Sequence, residues 1–227
     1  CIRDRGAAAL VRAVRPAVTG RDYPTLGALA AGECAAWSGL FTWRRLGSAA
    51  TVTAPVLLAL RPDCSPATRV GLIAAAVGQA AKYGAGLSPA QPTALGVASV
   101  SAQYAAFAWQ LRESRNDATG WALRAGAWAA GVALARTRSE RLATPIAGVP
   151  AAALSALAGD PALRAADATQ GLSHGANLLL ASEAATVART RAAQLPAVGK
   201  LLAAGQSAAQ TVGLVLLVDG LARKAQG

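Results

Sequence analysis

The chain has 227 residues, of which 54% are hydrophobic and only 15% are charged, and its 22 Lys and Arg outnumber its 11 Asp and Glu. Alanine supplies 61 residues, whereas there are three isoleucines, three lysines and no methionine. This composition excludes intrinsic disorder, which requires low hydrophobicity and high charge, and it argues against collagen-like and disulfide-rich proteins. It favours a membrane protein or an alanine-rich helical bundle.

Apolar stretches long enough to form helices follow one another along the chain, joined by short turns that hold Pro, Gly or paired charges. Most of them approach the roughly 20 residues that cross a hydrocarbon core about 30 Å thick. The two-residue alternation typical of strands is nearly absent. The predicted helices cover 24–43, 46–61, 69–87, 91–111, 119–136, 142–159, 165–183 and 200–222.

We therefore predict an all-α fold, a polytopic transmembrane bundle of about eight short helices in the cell (inner) membrane. Residues 1–23 are predicted to form a basic N-terminal arm, 24–222 the transmembrane domain and 223–227 a basic C-terminal tail. The basic residues are scattered between apolar stretches, and no basic helix is interleaved with aromatic residues. Nucleic acid is therefore not an expected partner, whereas membrane lipids are.

Some ionisable residues interrupt predicted helices, where each costs about 2.5–3.5 kcal/mol to insert into a membrane, and three of them are singled out. They are Glu33 on the first helix, Lys82 on the third and Arg124 on the fifth. One interpretation is that Glu33 pairs with Arg124 or Lys82 and holds the bundle together. The other is that these groups contact a ligand or a lipid headgroup.

His174 is the only histidine, and it shares a helix face with Gln170 and Asn177 at spacings of four and seven residues. It is either a general base or headgroup contact, or a structural residue held by hydrogen bonds. A single histidine excludes a histidine-based metal site, and there is no glycine-rich phosphate loop. We therefore expect neither a metal nor another cofactor.

Short polar motifs recur within the apolar stretches. They are Val77-Gly78-Gln79, Ser101-Ala102-Gln103-Tyr104 followed by Phe107, Ser173-His174 and Ala209-Gln210. In type and order they resemble motifs of the YhhN lysoplasmalogenase family, whose helices three, four, seven and eight carry Gly-Asp, His-x-x-Tyr, Ser-Asp and Ala-Gln; the resemblance covers about 24–222.

The resemblance implies a helical membrane fold with a polar, lipid-facing cavity, and a hydrolysis of the vinyl ether of lysoplasmalogens by membrane-embedded carboxylates. The residues that would line the cavity are Gln79, Ser101, Tyr104, Ser173, His174 and Gln210. The two acidic positions of the family are occupied here by Gln79 and His174, and the Lys-Pro pair of its second helix is not visible ahead of Pro55. An amide cannot act as a general acid or base.

From these departures we expect a non-catalytic accessory or scaffold subunit of a lipid-handling envelope complex, docked against other integral membrane subunits. The composition is typical of GC-rich genomes, so an actinobacterial lipid transporter is one example of such a complex. The first alternative is a lysoplasmalogenase-like hydrolase of lyso ether lipids that uses His174, with Tyr104 or Glu33 assisting. The second alternative is a soluble, alanine-rich helical bundle.

Overall fold

A computed structural model describes residues 11–12, 14–15, 25–27, 30–31, 52–84, 94–135, 138–192 and 194–226. Every regular element in these ranges is a helix, which confirms the all-α prediction. A helical segment at 52–59 precedes the labelled helices. These are α1 (Pro66–Gly84), α2 (Ala94–Gln110), α3 (Ala118–Leu134), α4 (Arg138–Ala158), α5 (Pro161–Ala165), α6 (Gln170–Arg191) and α7 (Pro196–Lys224).

Most observed helices begin and end within a few residues of the predicted bounds, but the predicted helix at 165–183 is wrong at both ends. Asp160 caps the short α5 by accepting from the Ala162 amide, and the chain then turns before α6 begins at Gln170. The helix continues to Arg191, eight residues beyond the predicted end. The predicted tail boundary at 222 falls inside α7. The prediction for 24–43 lies almost wholly outside the described residues.

The most extensive helix–helix interface joins α6 to α7, and α4 packs against α2, α3 and α6. Ser155 near the end of α4 donates to Asn177 near the start of α6, and Glu140 near the start of α4 lies 3.9 Å from Arg191 at the end of α6. The two helices are therefore antiparallel. The α1 helix packs against the outer side of α2 and completes the described bundle.

Charged turns meet at one end of this bundle, which we call the Asp219 end (61–69, 111–117, 159–169 and 219–226). Arg61 is 8% exposed, binds Asp63 through two hydrogen bonds and also lies 3.5 Å from Asp219, which accepts from Arg223. The Lys224 ammonium donates to the Gln110 carbonyl at 3.2 Å. These contacts tie the last turn of α7 to the turn before α1 and to the end of α2.

The opposite end holds the start of α4, the end of α6 and the start of α7, and we call it the Arg191 end (138–142, 187–192 and 194–201). It differs from the Asp219 end in how closely α6 and α7 approach. A Cβ on Gly175, toward the Asp219 end, would lie 2.7 Å from the Gly213 carbonyl oxygen, so only glycine fits. A Cβ on Gly205, toward the Arg191 end, would meet nothing within 4 Å.

The interior is built from large apolar side chains of several helices. Those with the lowest exposure include Tyr104, Phe107, Leu58, Leu72, Leu111, Leu154, Leu172, Leu179, Leu214 and Leu217. Burial of one such side chain contributes about 1.5–3 kcal/mol. Leucines 214 and 217 follow directly after the closest approach of α6 and α7, so the tight half of that interface is also the best filled part of the core.

The outward faces of the helices are apolar as well. On α1 the exposed fractions of Val70, Ile73 and Val77 are 58%, 57% and 41%, and α4 exposes a similar row of large apolar side chains. Contiguous exposed apolar surface of this kind marks a membrane or protein contact. Two helical segments, Glu140–Ala158 and Ala197–Lys224, are long and apolar enough to cross a membrane by length and composition. These features indicate membrane association.

Two prolines, Pro145 and Pro150, lie inside α4. Proline lacks the amide hydrogen that would bond to the carbonyl four residues earlier, so Pro150 leaves the Ile146 carbonyl without its helical donor. The Ser101 hydroxyl of α2 lies 3.5 Å from that carbonyl oxygen. In a nonpolar surrounding, such freed carbonyls are tolerated where a neighbouring helix offers a hydroxyl.

Candidate functional site

A tyrosine and a glutamate meet in the interior between α2 and α6. Tyr104 is 2% exposed, and its hydroxyl donates to Glu183 Oε1 at 2.8 Å. Glu183 is partly buried. A carboxylate removed from water is costly unless hydrogen bonds compensate it, and the phenol supplies one such hydrogen bond. The pair is therefore a partly buried acid that accepts a hydrogen bond from a buried phenol.

Further buried polar side chains lie next to this pair along the helices or on the neighbouring α7. Gln103 precedes Tyr104 and is 2% exposed, and Ser182 precedes Glu183 and donates to the Gln206 carbonyl at 3.3 Å. Ser207, next along α7, is 6% exposed. Since these contacts connect α2, α6 and α7 at one level of the bundle, we call the group the polar layer (Gln103, Tyr104, Ser182, Glu183, Gln206 and Ser207).

Two members of the polar layer carry polar atoms without a partner. Gln103 Nε2 and Ser207 Oγ are buried and make no hydrogen bond to any described residue, and the same holds for Thr211 Oγ1 one turn further along α7. Leaving a buried donor or acceptor unmade costs about 1–3 kcal/mol. Buried polar groups are nearly always satisfied in folded proteins. These unpartnered groups on α2 and α7 are therefore candidates for contact with a polar ligand.

The sequence-predicted cavity residues separate into two groups. Gln79, Ser173 and Gln210 are buried, at 4%, 7% and 6% exposure, and Tyr104 lies at the centre of the polar layer. Ser101 instead donates to the Val97 carbonyl of its own helix at 2.8 Å and faces the proline gap in α4. Ser101 therefore has a structural explanation that involves no cavity.

His174 does not join Tyr104. It is partly exposed and lies nine residues before Glu183, a separation of about 13 Å along the axis of α6. Glu33, the other acid of the predicted hydrolase, lies outside the described residues. The structure thus brings Tyr104 together with Glu183, a residue that the sequence analysis did not select.

The basic residue at the middle of α3 also has a partner within the bundle. The Arg124 guanidinium donates to the Ser155 hydroxyl at 3.3 Å and to the Gly120 carbonyl at 3.2 Å. The side chain of Lys82 and the whole of Glu33 lie outside what the structure describes, so the predicted pairing of Glu33 with either base stays a prediction. Arg124 itself turns toward α4 and not toward the surroundings.

Cations are held differently at the Arg191 end. The Arg189 guanidinium donates to Gln206 Oε1 at 2.7 Å and is thereby linked to the polar layer. Arg191 Nη2 lies 3.9 Å from Glu140 Oε2, which is an ion pair but longer than a hydrogen bond. Both Arg191 Nε and Nη2 are buried and make no hydrogen bond. Among the described residues, Arg191 is the only cation with buried nitrogen atoms that lack a hydrogen bond.

Comparison of the chain with protein-family models, curated proteins and solved structures finds no match.

The missed residue, Glu183, had a readable signal. The prediction ended the helix at the first acid after a long apolar run. However, Arg189 and Arg191 follow within eight residues, and basic residues are typical of the last turn of a helix. Placing the helix end at these arginines would have put Glu183 inside an apolar helix. An acid in that position is a candidate functional residue.

Proposed function

We propose that this chain is a multi-pass membrane protein that hydrolyses the vinyl ether bond of lyso ether lipids, the reaction of the family it resembles. The observation that supports this most directly is the 2.8 Å hydrogen bond between Tyr104 and Glu183 in the buried interior. It supplies the protonatable carboxyl group that Gln79 cannot supply. It also involves Tyr104, which belongs to one of the motifs that carry the resemblance.

The reaction needs an acid that gives up a proton and later recovers one. In vinyl ether hydrolysis, protonated Glu183 transfers its proton to the vinyl carbon remote from the oxygen, which leaves a cationic carbon next to that oxygen. Water adds to this carbon and returns a proton to Glu183, and the resulting hemiacetal separates into an aldehyde and the glycerol hydroxyl. The Tyr104 hydroxyl, as a donor, stabilises the Glu183 carboxylate between the two transfers.

Residence in the membrane is supported by what the helices expose. The only charge on α3, Arg124, turns inward, while Trp121 and Leu123 on the same helix are 42% and 65% exposed. Trp109 and Trp121 both lie near the Asp219 end, where an interfacial belt of tryptophans is expected. Helices of 17 to 29 residues fit the thickness of a bilayer. Extraction from cells without detergent would instead favour the soluble-bundle alternative.

The test is whether the purified chain hydrolyses a lysoplasmalogen in mild detergent. The rate is measured from the release of the long-chain aldehyde. Glu183→Gln should lower the rate by about 10²–10⁴-fold, the usual contribution of a general acid. Tyr104→Phe should lower it by about 10–100-fold, since it removes one hydrogen bond to a charged group. Glu113→Gln, an exposed acid at the Asp219 end, is the matched control and should leave the rate unchanged.

Two results would contradict the proposal. One is an inactive wild-type protein that is folded and monodisperse. The other is an active Glu183→Gln variant together with an inactive His174→Ala variant, because His174 would then be the essential residue of the first sequence alternative. In our assignment His174→Ala keeps most of the activity.

A specific observation also favours a second function, the non-catalytic accessory subunit. Ala122, Gly126 and Ala130 form a small-residue row on α3, all exposed, and a Cβ on Gly126 would meet nothing within 4 Å. Such rows let the backbones of two membrane helices approach closely. Pull-down in mild detergent should then recover an integral membrane partner that Gly126→Leu releases. An isolated monomer in several detergents would contradict this role.

A further inference from the structure

Arg191 is placed as an anion-binding residue would be. Its Nε and Nη2 are buried without hydrogen bonds, although the side chain as a whole is 26% exposed. The nearest acid, Glu140, stays 3.9 Å away and is too distant to satisfy these two nitrogens. A guanidinium presents its N–H groups as a planar fork that matches two oxygens of a phosphate. The pair of unbonded nitrogens is one edge of such a fork.

The surrounding charge favours an anion at this position. Among the described residues of the Arg191 end there are five bases and one acid, Glu140. The bases are Arg138, Arg141, Arg189, Arg191 and Lys200. An excess of one sign at a partly enclosed site raises the local concentration of ions of the opposite sign.

The position relative to the acid suits one class of ligand. Arg191 follows Glu183 by eight residues on α6, a rise of about 12 Å, and points within about 80° of the same direction. A lysophospholipid carries its ether oxygen and its phosphate on opposite carbons of one glycerol. The length of the arginine side chain covers much of the remaining rise. An anchored phosphate would therefore hold the ether bond near Glu183.

We propose that Arg191 binds the phosphate group of the substrate at the Arg191 end, with Arg189 and Lys200 supplying a positive field; this rests on the proposed hydrolase function. The ligand class is a phosphate ester, whose source is either a lipid headgroup or free phosphate. Arg191 is then a specificity-determining residue, because it distinguishes a lysophospholipid from the same lipid without phosphate. Glu140 holds the guanidinium loosely until the phosphate displaces it.

Binding is measured on the full chain in detergent micelles with ligands that have no vinyl ether and are not cleaved. The probes are lysophosphatidylethanolamine, a monoacylglycerol of equal chain length, and inorganic phosphate. Wild type should bind the lysophospholipid at least about tenfold more tightly than the monoacylglycerol. Arg191→Gln should abolish this difference, and Arg191→Lys should recover only part of it, since an ammonium lacks the fork. Arg164→Gln, which removes an exposed base from the Asp219 end, is the control and should keep it.

The Glu140→Gln variant tests whether Arg191 binds phosphate or only forms a structural ion pair with Glu140. If Arg191 binds phosphate, this variant removes a competitor, and the lysophospholipid should bind as tightly as in wild type or a few-fold more tightly. If the pair only holds α4 to α6, Glu140→Gln and Arg191→Gln should lower the melting temperature equally and leave the preference for phosphate intact. That result would overturn the proposal, as would equal binding of the two lipids by wild type.

The phosphate arm identifies the source of the ligand. Inorganic phosphate that competes with the lysophospholipid in wild type but not in Arg191→Gln supports a site that accepts free phosphate. If inorganic phosphate does not compete but wild type still prefers the lysophospholipid, the ligand is the lipid headgroup.

Turnover separates this proposal from the hydrolase itself. Arg191→Gln should raise KM about tenfold or more with kcat within a few-fold, whereas Glu183→Gln should remove turnover and leave the lipid preference unchanged. A wild type that binds phosphate through Arg191 but hydrolyses nothing would refute the hydrolase and leave the anion site standing.

Discussion

The two ends of the bundle use charge in opposite ways. At the Asp219 end the described bases and acids are nearly balanced, seven against six, and Arg61 and Arg223 share the carboxylate of Asp219. The described residues of the Arg191 end include five bases and one acid, and two buried nitrogens of the Arg191 guanidinium make no hydrogen bond. The first pattern is that of a structural clamp. The second is that of a surface which is completed by an anion from outside.

Packing follows the same division. Toward the Asp219 end, a Cβ on Gly175 or Gly213 would meet the backbone of the opposite helix at 2.7 to 3.0 Å. Toward the Arg191 end, Gly199 and Gly205 have room, and the start of α7 is largely exposed. The α6 and α7 helices are therefore packed closely toward the Asp219 end and less closely toward the Arg191 end.

The largest effect on stability is expected at the clamp. Asp219→Ala leaves Arg61, which is 8% exposed, with Asp63 as its acidic partner, and the loss of a buried ion-pair partner costs about 3 kcal/mol. Thermal unfolding in mild detergent measures the change. Asp167→Ala, an exposed acid at the same end, is the control and should change stability by less than about 0.5 kcal/mol. Equal effects of the two variants would show that the ion pairs of Asp219 do not stabilise the fold.

A smaller loss is expected from filling the tight half of the α6–α7 interface. Gly175→Ala places a methyl group against the backbone at Gly213 and Leu217, and overpacking of this kind costs about 1–3 kcal/mol. Gly205→Ala, at the open half, meets nothing and should stabilise the helix by up to about 1 kcal/mol. The same unfolding assay compares them. Opposite signs support the division into a tight and an open half, and two losses of equal size contradict it.

The smallest effect on stability is expected from Arg191 itself. Because its side chain is 26% exposed and its ion pair is long, Arg191→Gln should lower the free energy of unfolding by less than about 1 kcal/mol. The comparison with Asp219→Ala is direct, since both variants remove one partner of an ion pair. If Arg191→Gln destabilised the protein as much as Asp219→Ala, the ion pairs at both ends would be structural, and the contrast between the ends would be wrong.

The sequence predicted the helices well because uncharged length is a local property. Pro66, Asp117 and Pro196 lie where helices begin, and such start signals can be read without any tertiary information. The site was predicted only in part. Tyr104 was found through its motif, but its partner depends on which face of α6 turns toward α2. That is a property of packing, and no spacing between 104 and 183 reveals it.

The unsatisfied state of Arg191 was equally hidden. In the sequence it is one of many arginines near helix ends, and nothing distinguishes it from Arg141. Only the antiparallel arrangement of α4 and α6, which brings Glu140 near but not within hydrogen-bond reach, sets it apart. Ser101 shows the reverse, since a residue with a motif assignment has an ordinary explanation once Pro150 is seen across from it.

Pro150 has a mechanical consequence for the whole bundle. Because the Ile146 carbonyl has no helical donor to lose, α4 can change its curvature there without breaking a backbone hydrogen bond. The α4 helix touches α2, α3 and α6. Bending by a few degrees at Pro150 would therefore shift both α2, which carries Tyr104, and α6, which carries Glu183.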